Sequence, residues 1–288
     1  MFMGVQSTNE PLPLQLDILT KMSCLLSLLM LTLMLPEASS SSTQQVSMGT
    51  TILAARYADG VVVGADTRTS VSGYVSNRFA TKLTFVLDNK DEPTRNNGEQ
   101  QPHSTVCICR SGSAADTQHL CAMVSDELHA NRMLKHDATW GTVKNAAYLI
   151  RHLVSSNADR WSCSVICAGY DHVQKKGRVY SVSPSGALME HEQLALGGSG
   201  STYIMGHADA YCKSSKVMMS EEECIEFVGR SIELAMSRDG SSGGYVYIYV
   251  IDQHGKRPLV RMPSVSAGTT TITKDGNNSL TNFAPAIR

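Results

Sequence analysis

Alternating apolar and polar positions predict a series of strands and helices from residue 50 onward. Two strand-like runs, 50–57 and 60–65, are joined by Ala58-Asp59-Gly60, and Asp-Gly between apolar runs is a strong hairpin signal. Further strands are predicted at 106–109, 164–168, 178–182, 187–196, 245–251 and 258–260. Strands joined by hairpins pair antiparallel, so the pattern predicts antiparallel sheets.

Helical spacing of apolar residues predicts two pairs of helices between these strands. In the first pair, one helix begins after Ser113 and the other begins near Trp140. The second pair covers about 201–212 and 221–237. Ser113 with Asp116, and Ser220 with Glu223, have the spacing of capping boxes. Each helix pair can cover one face of a sheet, so we predict an α+β fold of four layers, αββα, with helices outside two stacked sheets.

The first 49 residues differ in composition from the rest of the chain. Of the 25 basic and 26 acidic residues, only four lie there. A Leu- and Met-rich run at 23–35 follows Lys21 and precedes a serine-rich stretch, 36–45. This resembles a secretory signal, but the run is short for a membrane span and begins far from the first residue. We interpret 1–49 as a leader that is removed on maturation.

Two other segments fall outside the strand and helix pattern. Residues 88–104 are polar, contain two prolines and an Asn-Asn-Gly, and lack periodicity, which predicts an exposed loop insertion. Residues 264–288 are polar and are predicted to be a mobile C-terminal tail. The predicted catalytic body therefore covers 50–263.

Composition excludes several classes of function. The net charge of −1 provides no excess of Lys or Arg for nucleic-acid phosphates. The eight cysteines form no CxxC, which favours free buried thiols in a reducing compartment. The nine histidines lack metal-ligand spacing, and the Gly-rich stretches 197–201 and 239–244 lack phosphate-loop signatures. We expect no metal, no cofactor, no nucleic acid and no membrane.

The boundary between leader and body offers a candidate for nucleophilic chemistry. Cleavage after Gly49 would give Thr50 a free α-amine, whose ordinary pKa is about 8. A nearby lysine would lower the pKa of that amine, which could then take the proton of the Thr50 hydroxyl. Asp66 and Lys82 follow at successive intervals of sixteen residues. That spacing is also compatible with a solvated ion pair.

Several motifs together resemble one known family. TTILAA from Thr50, GVVVGADTRT at 60–69 and Lys82 resemble the proteasome beta subunits of the N-terminal nucleophile hydrolase superfamily. SGSAAD (111–116), GGSGSTY (197–203) and RDGSSGG (238–244) extend the resemblance to about residue 262. Within the family, the chain is most similar to the catalytic beta type 1 branch, which has caspase-like activity. The resemblance implies the four-layer fold, autolytic cleavage between Gly49 and Thr50, and no metal or organic cofactor.

The resemblance also implies roles for individual residues. Thr50 would be the nucleophile and, through its amine, the base; Lys82 would tune that amine, and Asp66 would pair with Lys82. The N–H of Gly112 would be the main oxyanion donor, which suits a residue that lets substrate backbone approach closely. Ser199, Asp239 and Ser242 would complete the hydrogen-bond network around the amine. Arg110, Thr69, Ser70 and Ala114 would contact the substrate.

Arg110 bears on substrate preference. It follows the predicted strand 106–109 and precedes Gly112 by two residues. In the resembling caspase-like subunits an arginine at this place lines the pocket for the residue before the cut. A guanidinium stays protonated and offers paired donors to a carboxylate, so the pocket would favour Glu and Asp. The alternative is a surface arginine at a strand end.

Taken together, the sequence predicts a threonine endopeptidase that cleaves after acidic residues in proteasomal, including ubiquitin-dependent, degradation. The implied partners are other beta and alpha subunits in stacked seven-membered rings, regulatory particles that bind through the alpha rings, and unfolded polypeptide substrates, in cytoplasm and nucleus. A non-catalytic structural ring subunit is the main alternative, although such members generally lack the terminal Thr, the Lys or the preceding Gly. A secreted or membrane-anchored hydrolase and a bacterial-type homo-oligomeric relative are further alternatives.

Overall fold

The computed structural model describes residues 49–71, 73–88, 104–135, 141–214, 218–261 and 272–273. The strands are β1 Ile52–Tyr57, β2 Gly60–Asp66, β3 Thr69–Val71, β4 Tyr74–Asn77, β5 Leu83–Leu87, β6 Thr105–Gly112, β7 Cys163–Asp171, β8 Lys176–Val182, β9 Leu188–His191, β10 Leu194–Gly197, β11 Val246–Asp252, β12 Gly255–Arg261 and β13 Ile272–Thr273. The helices are α1 Ala114–Lys135, α2 Val143–Ser156, α3 Ser201–Ser214 and α4 Glu221–Arg238.

Two antiparallel sheets form the centre of the fold. One has the strand order β10-β1-β2-β11-β12-β13 and the other β5-β6-β7-β8-β9, while β3 and β4 form a separate hairpin. α3 and α4 cover the first sheet, and α1 and α2 cover the second. An apolar layer that includes Ile52, Val63, Cys107 and Ile166 lies between the sheets. This helix–sheet–sheet–helix order confirms the predicted four-layer α+β fold.

The predicted helix starts are only partly right. At α4, the Ser220 hydroxyl accepts from the Glu223 N–H, and the Glu223 carboxylate accepts from the Ser220 N–H, so the box is complete. At α1, Ser113 accepts from the Asp116 N–H at 3.3 Å, but the Asp116 side chain accepts from the N–H of Ser162 instead. Asp is one methylene shorter than Glu, and here it ties α1 to the start of β7.

The single strand predicted at 187–196 is wrong. It is two strands in different sheets, because β9 pairs with β8 whereas β10 pairs with β1. The chain crosses between sheets at Glu192 and Gln193, whose carbonyl groups accept hydrogen bonds from the Arg56 side chain and backbone, at 2.9 and 2.7 Å. The sequence does not predict β3, β4 and β5; the first two are only three and four residues long, and every residue of β4 is exposed.

Several sequence predictions lie outside the described residues. These are the leader up to residue 48, Trp140 and most of the insertion, of which the structure describes only Asp88 and Ser104. Of the predicted tail, the structure describes only Ile272 and Thr273, which pair with β12.

Seven cysteines fall in the described ranges, all with free thiols, and only Cys212 is not buried. Within the same ranges, no helix is long and apolar enough to span a membrane.

Candidate active site

The hairpin of β1 and β2 brings Asp66 beside the start of the body. Ile52 pairs with Ala65, so Asp66, the last residue of β2, lies opposite Thr51. The N–H of Thr51 donates to Asp66 Oδ1 at 2.8 Å, and the N–H of Gly243, just before β11, donates to Oδ2 at 2.9 Å. The Asp66 carboxylate is completely buried. It is thereby fixed in place by two strands of the same sheet.

Lys82, the residue before β5, extends its side chain into this site. Its Nζ lies 2.7 Å from Asp66 Oδ1 and 3.1 Å from the carbonyl oxygen of Gly49. Burial lowers the pKa of Lys82, and the attraction of Asp66 offsets that effect only in part. The ammonium is therefore paired, desolvated and aimed at the peptide group that joins leader and body.

Both the hydroxyl and the backbone N–H of Thr50 donate hydrogen bonds. Its hydroxyl donates to the Gly49 carbonyl oxygen at 2.7 Å, and its N–H donates to Ser199 Oγ at 3.2 Å. The chain is intact at this point, so the Thr50 nitrogen is a peptide amide; in the predicted cleaved form it would be an α-amine. A Cβ on Gly49 would lie 1.9 Å from the Cβ of Ser241, so only glycine fits before the threonine.

A second carboxylate, Asp239, organises the other side of Thr50. Its Oδ2 accepts from the hydroxyls of Ser199 at 2.7 Å and Ser242 at 2.6 Å, and its Oδ1 accepts from the N–H of Ser241 at 3.0 Å. Burial alone would raise the pKa of Asp239, but these hydrogen bonds and the attraction of the Lys82 ammonium stabilise the charged form and hold its pKa below the ordinary value. Asp239 is the residue that follows α4, at the C-cap.

The Gly-rich stretch before α3 holds the Thr50 carbonyl group. Gly198 has φ +83°, and a Cβ there would lie 2.1 Å from the Thr50 carbonyl oxygen. The N–H of Gly200 donates to the same oxygen at 3.1 Å. The glycines therefore allow this segment to approach the Thr50 backbone closely.

Gly112 and Arg110 lie at the end of β6, next to the Lys82 segment. Gly112 has φ +105°, and a Cβ there would lie 2.2 Å from the Ser162 carbonyl oxygen, so glycine is required. The N–H of Arg110 donates to the Lys82 carbonyl oxygen at 2.8 Å, and its guanidinium donates to the Thr81 carbonyl oxygen. Burial lowers the pKa of Arg110 from its ordinary value. Arg110 is therefore fixed beside Lys82 and is half-buried.

The remaining residues predicted to contact substrate lie on two other elements. Thr69 and Ser70 begin β3, and the Ser70 hydroxyl donates to the Ser241 carbonyl oxygen at 3.2 Å. Ala114 begins α1, one residue after the end of β6. Ser70 is thus tied to the turn that carries Asp239 and Ser242, whereas Ala114 lies two residues after Gly112 in the chain.

Sequence reasoning missed two residues that hold the site together. Arg68 donates through Nη1 to the carbonyl oxygens of Gly240 and Ser242, each at 3.3 Å. A Cβ on Gly243 would lie 2.3 Å from the Arg68 guanidinium carbon. Thr51, the second missed residue, binds Asp66 and also lies 2.9 Å from the Ser242 hydroxyl. Arg68 falls in the quoted motif, but its contact with a turn about 170 residues away leaves no local signal.

The charged groups of this site pair with one another, with hydroxyls, or with backbone N–H and carbonyl groups. Over the ranges that the structure describes, no group of three or more His, Cys, Asp or Glu side chains could hold a metal ion. A hydroxyl and a buried ammonium, both at the Gly49 carbonyl oxygen, support acid–base and nucleophilic chemistry at the Gly49–Thr50 peptide bond.

Comparison with known proteins identifies the class. A sequence model of the family described as "Proteasome subunit" matches residues 46–90 and 100–251, and its gap falls inside the predicted insertion 88–104. The chain belongs to the proteasome subunit family, among its beta-type members.

Individual relatives make the placement more specific. The chain is 39% identical over 212 residues to proteasome subunit beta type-6 of Dictyostelium discoideum, an alignment that covers 73% of this chain and 87% of the relative. It is 36% identical over 221 residues to proteasome subunit beta type-1 of Saccharomyces cerevisiae, covering 76% and 91%. It is 38% identical over 212 residues to the probable beta type-1 subunit of Schizosaccharomyces pombe, covering 73% and 83%.

Proposed function

We propose that this chain is a catalytic threonine endopeptidase of the proteasome core particle that cleaves peptide bonds after acidic residues. One observation carries the catalytic assignment: the Lys82 ammonium is bound to Asp66 and lies 3.1 Å from the carbonyl oxygen of Gly49, the residue that precedes Thr50. A structural subunit needs no buried cation at this peptide bond, and burial of an ammonium is costly.

Maturation would begin with the arrangement around Gly49. Its carbonyl oxygen accepts hydrogen bonds from Lys82 and from the Thr50 hydroxyl, and the lysine polarises the carbonyl group. Thr50 Oγ1 attacks the Gly49 carbonyl carbon, the C–N bond breaks, and the hydroxyl proton ends on the Thr50 nitrogen. Water then hydrolyses the resulting ester, which gives a Gly49 carboxylate and a free Thr50 amine.

In each later turnover the freed amine would act as the base. The Lys82 ammonium lowers the pKa of that amine by repulsion, so more of it is neutral near pH 7. The amine takes the Thr50 hydroxyl proton as Oγ1 attacks the substrate carbonyl carbon, and it returns that proton to the leaving amine. The N–H of Gly112 would stabilise the oxyanion. Water, activated by the same amine, then hydrolyses the acyl ester.

Arg110 supports the preference for acidic residues. It lies two residues before Gly112 and is fixed to Thr81 and Lys82, on the same side of the site as the ammonium. A half-buried guanidinium binds a carboxylate more strongly than a fully solvated one does. A Glu or Asp side chain just before the cut would therefore be favoured over an apolar one.

The surface supports assembly into a larger particle. Large apolar side chains are exposed on α3 and nearby, with Tyr203 54% and Met205 50% exposed, and such side chains are often covered by partners. We propose stacked seven-membered rings with other beta and alpha subunits, regulatory particles bound through the alpha rings and unfolded polypeptides as substrates. Cytoplasm and nucleus are the proposed locations.

Replacing Thr50 in assembled particles tests the assignment most directly. Thr50→Ala should leave the leader attached at Gly49, or trimmed upstream, and abolish cleavage after Glu. Ser155→Ala, at an exposed position of α2, is the control and should be processed and active. Intact mass and hydrolysis of a fluorogenic peptide ending in Glu are the measurements. If Thr50→Ala particles hydrolyse that peptide at the normal rate, the chain is not this protease.

A further inference from the structure

Thr51 is a buried threonine that contacts both carboxylate systems of the site. Its N–H donates to Asp66 Oδ1 at 2.8 Å, within the lysine pair. Its Oγ1 lies 2.9 Å from the Oγ of Ser242, which is also completely buried and 191 residues away in the chain. The reaction described above gives this hydroxyl no part. Its placement between the two halves of the site therefore needs an explanation.

A proton count fixes the direction of the hydrogen bond between Thr51 and Ser242. Asp239 is ionised and can only accept, so the Ser242 hydroxyl must donate its single proton to Oδ2 at 2.6 Å. Ser242 Oγ then has only lone pairs left for Thr51. The Thr51 hydroxyl is consequently the donor and Ser242 the acceptor.

The same proton count gives the direction of the hydrogen bond between Ser199 and Asp239. Ser199 lies 2.7 Å from Asp239 Oδ2 and 3.4 Å from the Thr50 carbonyl oxygen, and its single proton goes to the shorter contact with the charged group. Ser199 Oγ is then an acceptor for the Thr50 nitrogen at 3.2 Å. Both chains of hydrogen bonds therefore point toward Asp239, one from Thr50 and the other from Thr51.

Gly200 makes room for the Thr51 hydroxyl. A Cβ at that position would lie only 2.0 Å from Thr51 Oγ1, and its next neighbours would be Ala235 Cβ and Ser242 Oγ, each at 3.2 Å. Gly200 does not have a positive φ, so the close approach of the hydroxyl explains the glycine better than backbone conformation does.

We propose that Thr51 is a positioning residue: its hydroxyl donates to Ser242 and so holds the Ser242 hydroxyl in the orientation that donates to Asp239. All hydroxyl donors of the network around the Thr50 amine then point toward Asp239. The direction matters for the base. If Asp239 binds the Ser199 proton, the amine lone pair stays free to take the Thr50 hydroxyl proton. If Ser199 turned its proton to the amine instead, that lone pair would be occupied. The donation by Thr51 also strengthens the bond from Ser242 to Asp239, because linked hydrogen bonds polarise one another.

The inference rests on the proposed catalytic function, and Thr51→Val is its test. Valine keeps the shape of threonine but cannot donate to Ser242. In assembled particles, corrected for the fraction processed at Gly49, we expect kcat about tenfold lower with KM within about twofold. We also expect the acidic limb of the kcat/KM profile to move up by about half a pH unit, because a less stabilised Asp239 charge raises the pKa of the amine.

Thr51→Ser is the matched control, because it keeps the hydroxyl and should restore kcat and the pH profile. Wild-type kcat and pH profile in processed Thr51→Val particles would overturn the proposal. Should Thr51→Val fail to assemble, Thr51→Ala replaces it, and equal kcat for Thr51→Ala and Thr51→Ser would equally overturn it. Normal activity of Thr50→Ala particles would instead refute the proposed protease, so the two failures are distinguishable.

Discussion

Asp66 and Asp239 are two buried carboxylates within one site, and they are stabilised in different ways. Asp66 accepts from a cation, Lys82, and from the backbone N–H groups of Thr51 and Gly243. Asp239 accepts only neutral donors in the hydrogen bonds described, namely two serine hydroxyls and the N–H of Ser241. At Asp66 a single short contact with a cation compensates the carboxylate charge, whereas at Asp239 several neutral donors together stabilise that charge. The two regions should therefore respond differently to substitution.

The difference fits a division of chemical work. The Lys82–Asp66 pair places a positive charge beside the carbonyl group of Gly49, where it can polarise that group and tune the amine formed by cleavage. The Asp239 network places no cation near the nitrogen. It sets the direction of protons around Ser199 and Ser242. In this division the Lys82–Asp66 pair supplies a positive charge, and the Asp239 network orients the serine hydroxyls.

Breaking the charged pair should have the largest effect. Lys82→Ala should lower kcat by about 10³-fold or more, because it removes the charge that activates the base and leaves Asp66 buried without its cation. Lys82→Arg should restore only part of the activity, since a planar guanidinium does not replace a compact ammonium. Single-turnover hydrolysis of a Glu-ending peptide by assembled particles is the measurement.

Lys144→Ala provides the matched control, because Lys144 lies on α2 and interacts with the exposed Tyr148 ring instead. It should have nearly wild-type kcat. Asp66→Asn should also be impaired, since the amide no longer fixes the ammonium by charge. Processed particles of both Lys82→Ala and Asp66→Asn with near-normal turnover would contradict the role of the pair.

Arg110 extends the charged region toward the substrate, and changing it should alter preference more than rate. Arg110→Met should cost a Glu-ending peptide about 2–5 kcal/mol of transition-state binding, while a Leu-ending peptide gains. The ratio of kcat/KM for the two peptides is the measurement. Arg230→Met, at an exposed position of α4, should leave that ratio unchanged. An unchanged ratio in Arg110→Met would refute the acidic preference and leave the threonine protease intact.

Local signals predicted most of the fold and the charged half of the site. Asp59-Gly60 gave the first hairpin, and two helix pairs gave the outer layers. The separation of β9 from β10 was missed because no Gly, Pro, Asn or Asp interrupts 187–196 at the crossing, Glu192 and Gln193. The chemistry that a terminal threonine needs made Thr50, Asp66 and Lys82 candidates, whereas their roles came from the family resemblance, which also added Ser199, Asp239 and Ser242. The Thr51–Ser242 contact joins residues 191 apart and could not be inferred from spacing.

The smallest effect predicted in this comparison is the change in stability at low pH when Asp239, the carboxylate with neutral donors, is replaced. The pKa of Asp239 lies below its unfolded value, so its contribution to stability is complete above the unfolded pKa of about 4 and is lost as pH falls through the lower folded value. Asp239→Asn removes this contribution. The difference in unfolding temperature between wild type and Asp239→Asn should therefore narrow as pH falls from 6 to about 3. Asp159→Asn, at an exposed site, is the control and should show no such narrowing. If the Asp239→Asn difference widened instead, the hydrogen bonds would not stabilise the charged form, and the proton directions inferred around Asp239 would fail with them.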